Sequence, residues 1–251
     1  MNRFFVSVNN LFEGKITIDD KNDVKHLTKV LRAEPGEKYE ICLSNEDVYI
    51  AFFKHMEEDN AIFEIDHKLE KSFESNIDIT LFQGLPKSDK MDMIVQKNTE
   101  LGVNCFCPVV MMRSISKFND KKTEIKKIDR WLKIAGEAAK QSKRTKLPTI
   151  LSPLCMSDLL FKFKEYDLVI VPYENENSLG IKEALRINNS AKKIGILIGP
   201  EGGFDDSEIE LIEEAGGLVV TLGPRILRTE TAGLCATSIV QYELGDLGGK
   251  S

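Results

Sequence analysis

Residues 218–233 read LVVTLGPRILRTETAG. An apolar triplet runs into Gly223-Pro224, two arginines and a Thr-Glu-Thr, and then into the small residues that start an apolar helix. Glycine frees the backbone and proline fixes φ, so Gly-Pro between two apolar runs predicts a strand, a loop and a helix. The same pattern stands just upstream in KIGILIGPEGGFDDSEIE, residues 193–210. There Gly199, Pro200, Gly202 and Gly203 follow the strand, Asp205 and Glu208 are spaced as a capping box, and Gly216-Gly217 closes the helix. Successive strand–loop–helix units predict parallel strands with helices on both faces. Ligands bind such sheets outside the carboxyl ends of the strands. One glycine loop alone reads as a turn; two adjacent loops, the second with two arginines, read as a binding site.

The alternation extends back to about residue 77. IDITLFQGLP reads as a strand, followed by a helix capped by Ser88, running to Leu101 and stopped at Gly102. CFCPVVM is the next strand. A long helix over roughly 123–144 carries Ile125, Ile128, Leu132, Ala135, Ala139 and Ser142 on one side, and Pro148 ends that region. DLVIVP, a helix from about Leu179, and a last helix over Thr231–Leu244 complete the pattern. Residues 1–72 have another rhythm: RFFVSV, KITI, YEICLS, VYIAFFKHM and AIFEIDH alternate between turn clusters, with one helix over 19–32 built on Val24, Leu27, Val30 and Leu31. The fold class is therefore α/β: a small β-barrel over 1–72 and a mostly parallel sheet domain over 73–251. The length of 251 residues suits two such domains.

An apolar fraction of 42% and a charged fraction of 29% belong to an ordinary folded chain. No apolar run is long enough to span a bilayer, and MNRFFVSVNN lacks the features of a signal peptide, so a cytoplasmic protein with no membrane association is expected. Five cysteines fit a reducing compartment, and Cys105 and Cys107 read as buried thiols of a core strand. With three histidines and no second cysteine pair, no metal site is expected. The net charge of −6 divides unevenly: residues 1–72 carry −5, residues 161–251 carry −6, and residues 73–160 carry +5. A basic middle between acidic flanks is either a polyanion-binding face or a solvated helix surface.

The tail GDLGGKS imitates a phosphate loop, but position 244 is Leu where that motif needs Gly, and no helix can follow it. LIGPEGGF (197–204), LGPRILRTETAG (222–233), LFQGLPKSDKMDMIVQKNTELGV (81–103) and RWLKIAGEAAKQSKR (130–144) together resemble the RsmE family. These are 16S ribosomal RNA methyltransferases of the SPOUT superfamily that modify N3 of a uridine. RFFV (3–6) and HLTKVLRAEPGE (26–37) resemble that family's N-terminal PUA-like RNA-binding barrel. The resemblance covers essentially the whole chain. It implies a deep trefoil knot, S-adenosyl-L-methionine as cofactor, a homodimer, and 16S rRNA, within the small ribosomal subunit, as partner. Carried over by position, the cofactor pocket falls on Ile198, Gly199, Gly203, Leu222, Gly223, Ile226, Leu227 and Ala232.

Methylation at N3 of uracil requires loss of the N3 proton. His26, His55 and His67 all lie in the first domain, so a base in the second would be a carboxylate, Glu201 or Glu230. Bracing of its own loop is the other role for Glu201. Alternatively there is no dedicated base, and Arg228 stabilises charge developing on the uracil oxygens. Arg228 and Glu201 are thus the catalytic candidates. Arg3, His26, Arg32, Lys87, Lys90, Arg113, Lys143 and Arg144 are the candidate RNA contacts. The rival functions are a ribose 2′-O-methyltransferase of the same superfamily and a non-catalytic RNA-binding assembly factor.

Overall fold

The computed structural model describes residues 2–70, 73–87, 89–116, 118 and 120–249. The chain divides into two compact units: Met1–Glu74 with Ala139–Leu147, and Ser75–Ala138 with Pro148–Ser251. The return of 139–147 to the first unit is not visible in the sequence rhythm, which suggested one break near residue 72.

In the first unit, strands β1 (Arg3–Val6), β2 (Leu11–Phe12), β3 (Lys15–Ile18), β4 (Lys38–Leu43), β5 (Val48–Glu57) and β6 (Asn60–Leu69) form one sheet in the order β1-β4-β5-β6-β3-β2. Only β1–β4 is parallel. Among the described residues β1 and β2 do not pair, so the sheet is a half-barrel. Its alternating inward residues, among them Phe4, Ile16, Ile18, Tyr39, Ile41 and Phe63, make a separate core. Each such side chain contributes about 1.5–3 kcal/mol on burial. Helix α1 (Lys21–Lys25) starts where the Asp20 carboxylate accepts the N–H groups of Asn22 and Asp23, both at 2.9 Å. It then widens into one π-helical turn, His26–Leu31, ended by Arg32 at φ 52°. The wider turn breaks the 3.6-residue stripe read from the sequence. Leu27 is buried, but Val30 is left 65% exposed.

In the second unit every strand pair is parallel. Strands β7 (Asp78–Gly84), β8 (Cys105–Val110), β9 (Thr149–Ile150), β10 (Leu154–Cys155), β11 (Leu168–Pro172), β12 (Lys193–Ile198) and β13 (Leu218–Val220) run in the order β10-β8-β7-β12-β11-β13, with β9 also on β8. Helices are α2 (Lys90–Glu100), α3 (Lys121–Gln141), α4 (Met156–Lys162), α5 (Ile181–Ile187), α6 (Asp206–Glu214) and α7 (Thr229–Glu243). β7 is buried from Ile79 to Gly84, as a strand covered on both faces must be. Residues of α2, α3, α5 and α7 join the core on one face, and those of α4 and α6 join the core on the other.

Local signals explain most boundaries. Asp205 accepts from Ser207 N while Glu208 accepts from Asp205 N, completing the capping box of α6, and Gly216 at φ 90° ends it. Ser88 lies outside the described residues; α2 itself runs Lys90–Glu100. α3 stops at Gln141, short of the expected 144, because Lys143 takes a left-handed conformation at φ 60°. Its buried side is Trp131, Ala135, Ala138 and Ala139; Ile125 and Leu132, expected there, are exposed. Cys107 is fully buried and its thiol is pushed up to about 12 by desolvation, as an inert core thiol would be.

Candidate cofactor and methyl-transfer site

The carboxyl ends of β7, β11, β12 and β13 share one edge of the parallel sheet, so the chain segments leaving them converge. They enclose a cavity of about 430 Å³. Ile198, Gly199, Gly203, Leu222, Gly223, Ile226, Leu227 and Ala232 all line it, together with Glu201, Arg228 and Lys90. The eight pocket candidates, Glu201 and Arg228 are therefore brought to one space, while Glu230, the other carboxylate considered as a base, does not line it.

A side chain at these walls would meet different obstacles. A Cβ on Gly199 would stand 3.2 Å from the Phe204 ring. One on Gly203, at φ 69°, would stand 2.7 Å from Glu174 Oε1. Gly223 has open space beside it, but its φ of 112° is a conformation that side-chain-bearing residues avoid. The Thr221 hydroxyl accepts from Gly223 N at 3.1 Å and holds that turn. Ile226 is an apolar side chain left 85% exposed at the rim.

A third segment, between β11 and α5, was not foreseen. Pro172, Tyr173, Glu174 and Asn177 line the same cavity. Their signal in the sequence was positional only: they follow DLVIVP, another strand ending at that sheet edge.

The charges are paired in a pattern that bears on the two roles open to Glu201. The Lys90 ammonium lies 3.2 Å from Glu201 Oε1 and 3.1 Å from Glu230 Oε2, bridging the two loops. Lys87 N donates to both Glu201 oxygens at 3.0 and 3.2 Å. Burial pushes the Glu201 carboxyl up, but the Lys87 and Glu201 backbone N–H groups and Lys90 outweigh it and hold it below the usual range. Glu230 is also lowered: burial raises it, and its own backbone N–H, Lys90 and Arg228 prevail. A carboxylate so held is a weak proton acceptor. The loop-bracing role fits Glu201 better than the catalytic one. Arg228 has the opposite standing. It is exposed at the start of α7, and no hydrogen bond or ion pair engages its guanidinium among the described residues.

Of the RNA candidates, His26, Arg32 and Lys143 are exposed on the first unit, and Lys87 and Arg113 on the second. Arg113 Nη2 lies 3.1 Å from Asp205 Oδ2, tying it to the first glycine loop. Arg3 and Arg144 require correction. Their side chains are 2% and 4% exposed. Arg3 pairs with Glu40 and donates to the carbonyls of Lys143 and Arg144; Arg144 pairs with Glu74 at 2.6 Å. Buried guanidinium groups need such partners, and these two serve the interior of the first unit rather than a nucleic-acid surface.

Among the described residues no group of three or more His, Cys, Asp or Glu is placed to hold a metal ion, and no helix is long and apolar enough to cross a membrane.

Comparison with known proteins agrees with this arrangement. Residues 73–241 match the model of the RNA methyltransferase domain family. The chain is 35% identical over 225 residues to ribosomal RNA small subunit methyltransferase E of Bacillus subtilis, covering 88% of each chain. It is 34% identical to that of Aquifex aeolicus, covering 90% of this chain and 94% of the relative. The structure of ribosomal RNA small subunit methyltransferase E from Neisseria gonorrhoeae bound to S-adenosyl methionine superposes with a TM-score of 0.85 at 32% identity, covering 98% of this chain and 99% of that one. The cavity at the strand ends, the two glycine loops that wall it and these relatives lead to one assignment: the chain belongs to the RNA methyltransferase family that includes ribosomal RNA small subunit methyltransferase E.

Proposed function

We propose that this chain transfers the methyl group of S-adenosyl-L-methionine to N3 of a uridine in 16S ribosomal RNA, as a cytoplasmic homodimer. The observation that carries the reading is the cavity: two glycine loops from different strands meet around about 430 Å³, a size suited to a cofactor. The residues fit the donor. Close backbone at Gly199 and Gly223 and apolar walls at Ile198, Leu222, Ile226 and Leu227 suit an adenine ring, and the cationic Lys90 is neutralised by Glu201 and Glu230. S-adenosylmethionine supplies an electrophilic methyl group.

The protein's own part is to hold the uridine in line and to balance the charge left when N3 loses its proton. Arg228 is the residue for that balance, since its guanidinium is free to meet a uracil oxygen. We read the proton as leaving to water, since Lys90 and the Lys87 N–H already engage the Glu201 carboxylate and Lys90 engages Glu230. Positioning then carries much of the rate, being worth several kcal/mol in such transfers (about 7–11 at best). Lys87, Lys90 and Arg113 supply the RNA face of the second unit, and His26, Arg32 and Lys143 that of the first, which we read as a PUA-like module.

We read the second unit as a SPOUT domain with a trefoil knot. In support, β13 lies at the sheet edge, yet α7 begins at Thr229, whose hydroxyl donates to the Gly199 carbonyl beyond β12, so the chain crosses back over β11. The dimer reading is supported by α7, where Ala236 and Val240 point into the core while Cys235, Ile239 and Tyr242 form a less buried stripe at helical spacing.

The test is methyl transfer to small-subunit RNA with labelled cofactor, followed by digestion and mass spectrometry. N3-methyluridine is the expected product. A 2′-O-methyl nucleotide, recognised by resistance of its linkage to alkali, would make it a ribose methyltransferase; binding without transfer would make it an assembly factor.

A further inference from the structure

We propose that Gln83 and Thr229 are positioning residues, a buried amide–hydroxyl–carbonyl chain that holds the Gly199 wall of the cavity in place and thereby sets cofactor affinity. The inference rests on the reading of that cavity as the S-adenosylmethionine site.

Gln83 is the next-to-last residue of β7, pairs with Ile198 across the sheet and is 0% exposed. Its Nε2 donates to the Gly84 carbonyl at 2.9 Å and to Thr229 Oγ1 at 2.8 Å. The Thr229 hydroxyl donates in turn to the Gly199 carbonyl at 2.6 Å. A hydroxyl has a single proton. Because that proton goes to Gly199, the oxygen is left to accept from Gln83, and the direction of the chain is fixed. Turning the amide round would set Oε1 against the Gly84 carbonyl and draw the Thr229 proton away from Gly199.

The amide has a cost. Gln83 Oε1 meets no hydrogen-bond donor among the described residues, so an apolar side chain of the same length would be easier to bury. What the amide provides is direction where the end of β7, the start of α7 and the segment after β12 meet. β7 ends in Gly84, where a Cβ would stand 2.5 Å from Pro200 N and 2.8 Å from the Gly199 carbonyl carbon. The end of β7 therefore already presses on the first loop. Thr229 is the first residue of α7, directly after Arg228, and both line the cavity with Gly199. Its hydroxyl joins the end of the second loop to the start of the first. Gln83 is not among the lining residues, so it acts through Thr229 rather than on a ligand. Two loops from strands separated by β11 are thus locked at one spacing before a ligand arrives, which lowers the ordering cost of binding.

The experiment uses the full-length protein with Thr229→Val, Thr229→Ser and Gln83→Met. Calorimetry measures S-adenosylmethionine affinity, thermal melts without ligand report folding, and saturation curves separate KM from kcat. Thr229→Val keeps the shape and loses the hydroxyl; its Kd and KM for cofactor should rise about tenfold or more while kcat at saturation stays within about threefold. Thr229→Ser should restore affinity to within about threefold of the parent. Gln83→Met fills the space without the donor and should also weaken binding, which keeps the test decisive should Thr229→Val not fold. Unchanged affinity in a folded Thr229→Val or Gln83→Met protein overturns the proposal, as does a Thr229→Ser protein no better than Thr229→Val. A parent protein that binds no S-adenosylmethionine overturns the cofactor reading itself, a result distinct from either.

Discussion

A side chain at Gly199 and one at Gly223 would meet different obstacles, and the two positions should respond differently to substitution. At Gly199 the obstacle is Phe204, whose ring would meet a Cβ at 3.2 Å. At Gly223 there is room, and the obstacle is the backbone at φ 112°. Valine at 199 should displace the ring and weaken S-adenosylmethionine binding about tenfold or more, with a lower melting temperature. Valine at 223 should strain the turn by about 1–2 kcal/mol and weaken binding by moving Leu222 and Ile226. Calorimetry showing parental affinity in both would remove these loops from the cofactor site. The charged residues divide as sharply. Arg228→Ala should lower kcat at saturating cofactor while Kd stays within about threefold, less than the 1.4 kcal/mol that a tenfold change represents. Glu201→Gln should leave the shape of the pH–rate profile unchanged and raise KM for the cofactor, because the carboxylate holds Lys87 N and Lys90. A profile that loses its acidic limb in that variant would restore Glu201 as the base.

At the scale of elements, the most consequential feature is the stitching of residues 139–147, the end of α3 and the loop after it, into the first unit. Glu74 accepts from the Arg144 guanidinium, from Thr145 N at 2.7 Å and from Lys146 N at 3.1 Å, while Arg3 donates to the carbonyls of Lys143 and Arg144. Burial pushes the Glu74 carboxyl up, yet Arg144 and the two backbone donors outweigh it and hold it below the usual carboxylate range. A carboxyl depressed in the folded state stabilises above its unfolded value, and that contribution is lost as pH falls through the folded value. Stability of the parent to urea should therefore fall as pH drops below the usual glutamate range, and Glu74→Gln should flatten that part of the curve. At pH 7 the same variant strands the buried Arg144 and should cost about 3–5 kcal/mol. An unchanged midpoint at pH 7 would show the network to be dispensable. This network also marks the limit of what the sequence discloses. The strand–loop–helix units and the Asp205–Glu208 cap were legible because turn chemistry and capping act within a few residues, whereas the eight residues that line the cavity came from the family resemblance and not from any local pattern. Arg3 and Arg144 were misread as surface cations because their partner Glu40 and Glu74 carboxylates lie 37 and 70 residues away. The π-helical turn at His26–Leu31 and the lining by Tyr173, Glu174 and Asn177 likewise depend on tertiary packing that no local pattern announces.

At the scale of the whole molecule, the question is whether one chain suffices for a working site. The less buried stripe Cys235, Ile239 and Tyr242 on α7 offers a second copy a surface within the element that also begins at the cavity. A two-fold pairing through it would bring two identical cavities toward the interface, where the other chain's proposed RNA contacts could serve them. The test needs RNA-face substitutions that spare the fold, and the burial of Arg3 rules that residue out. Arg32 and Lys143 are suitable: both are exposed, and both sit in left-handed backbone, at φ 52° and 60°. Asparagine tolerates that conformation and carries no charge, so Arg32→Asn/Lys143→Asn removes two cations without adding strain. Gly199→Val disables the cavity instead. In a purified heterodimer of the two variants, a site composed across chains leaves one intact cavity served by one intact RNA face, and about half the parental rate should return although each parent homodimer is inactive. If each chain works alone, both halves of the heterodimer carry a defect and nothing returns. A heterodimer shown intact by sizing, with melting temperatures matching its parents but without methyl transfer, would establish that each cavity is served by its own chain.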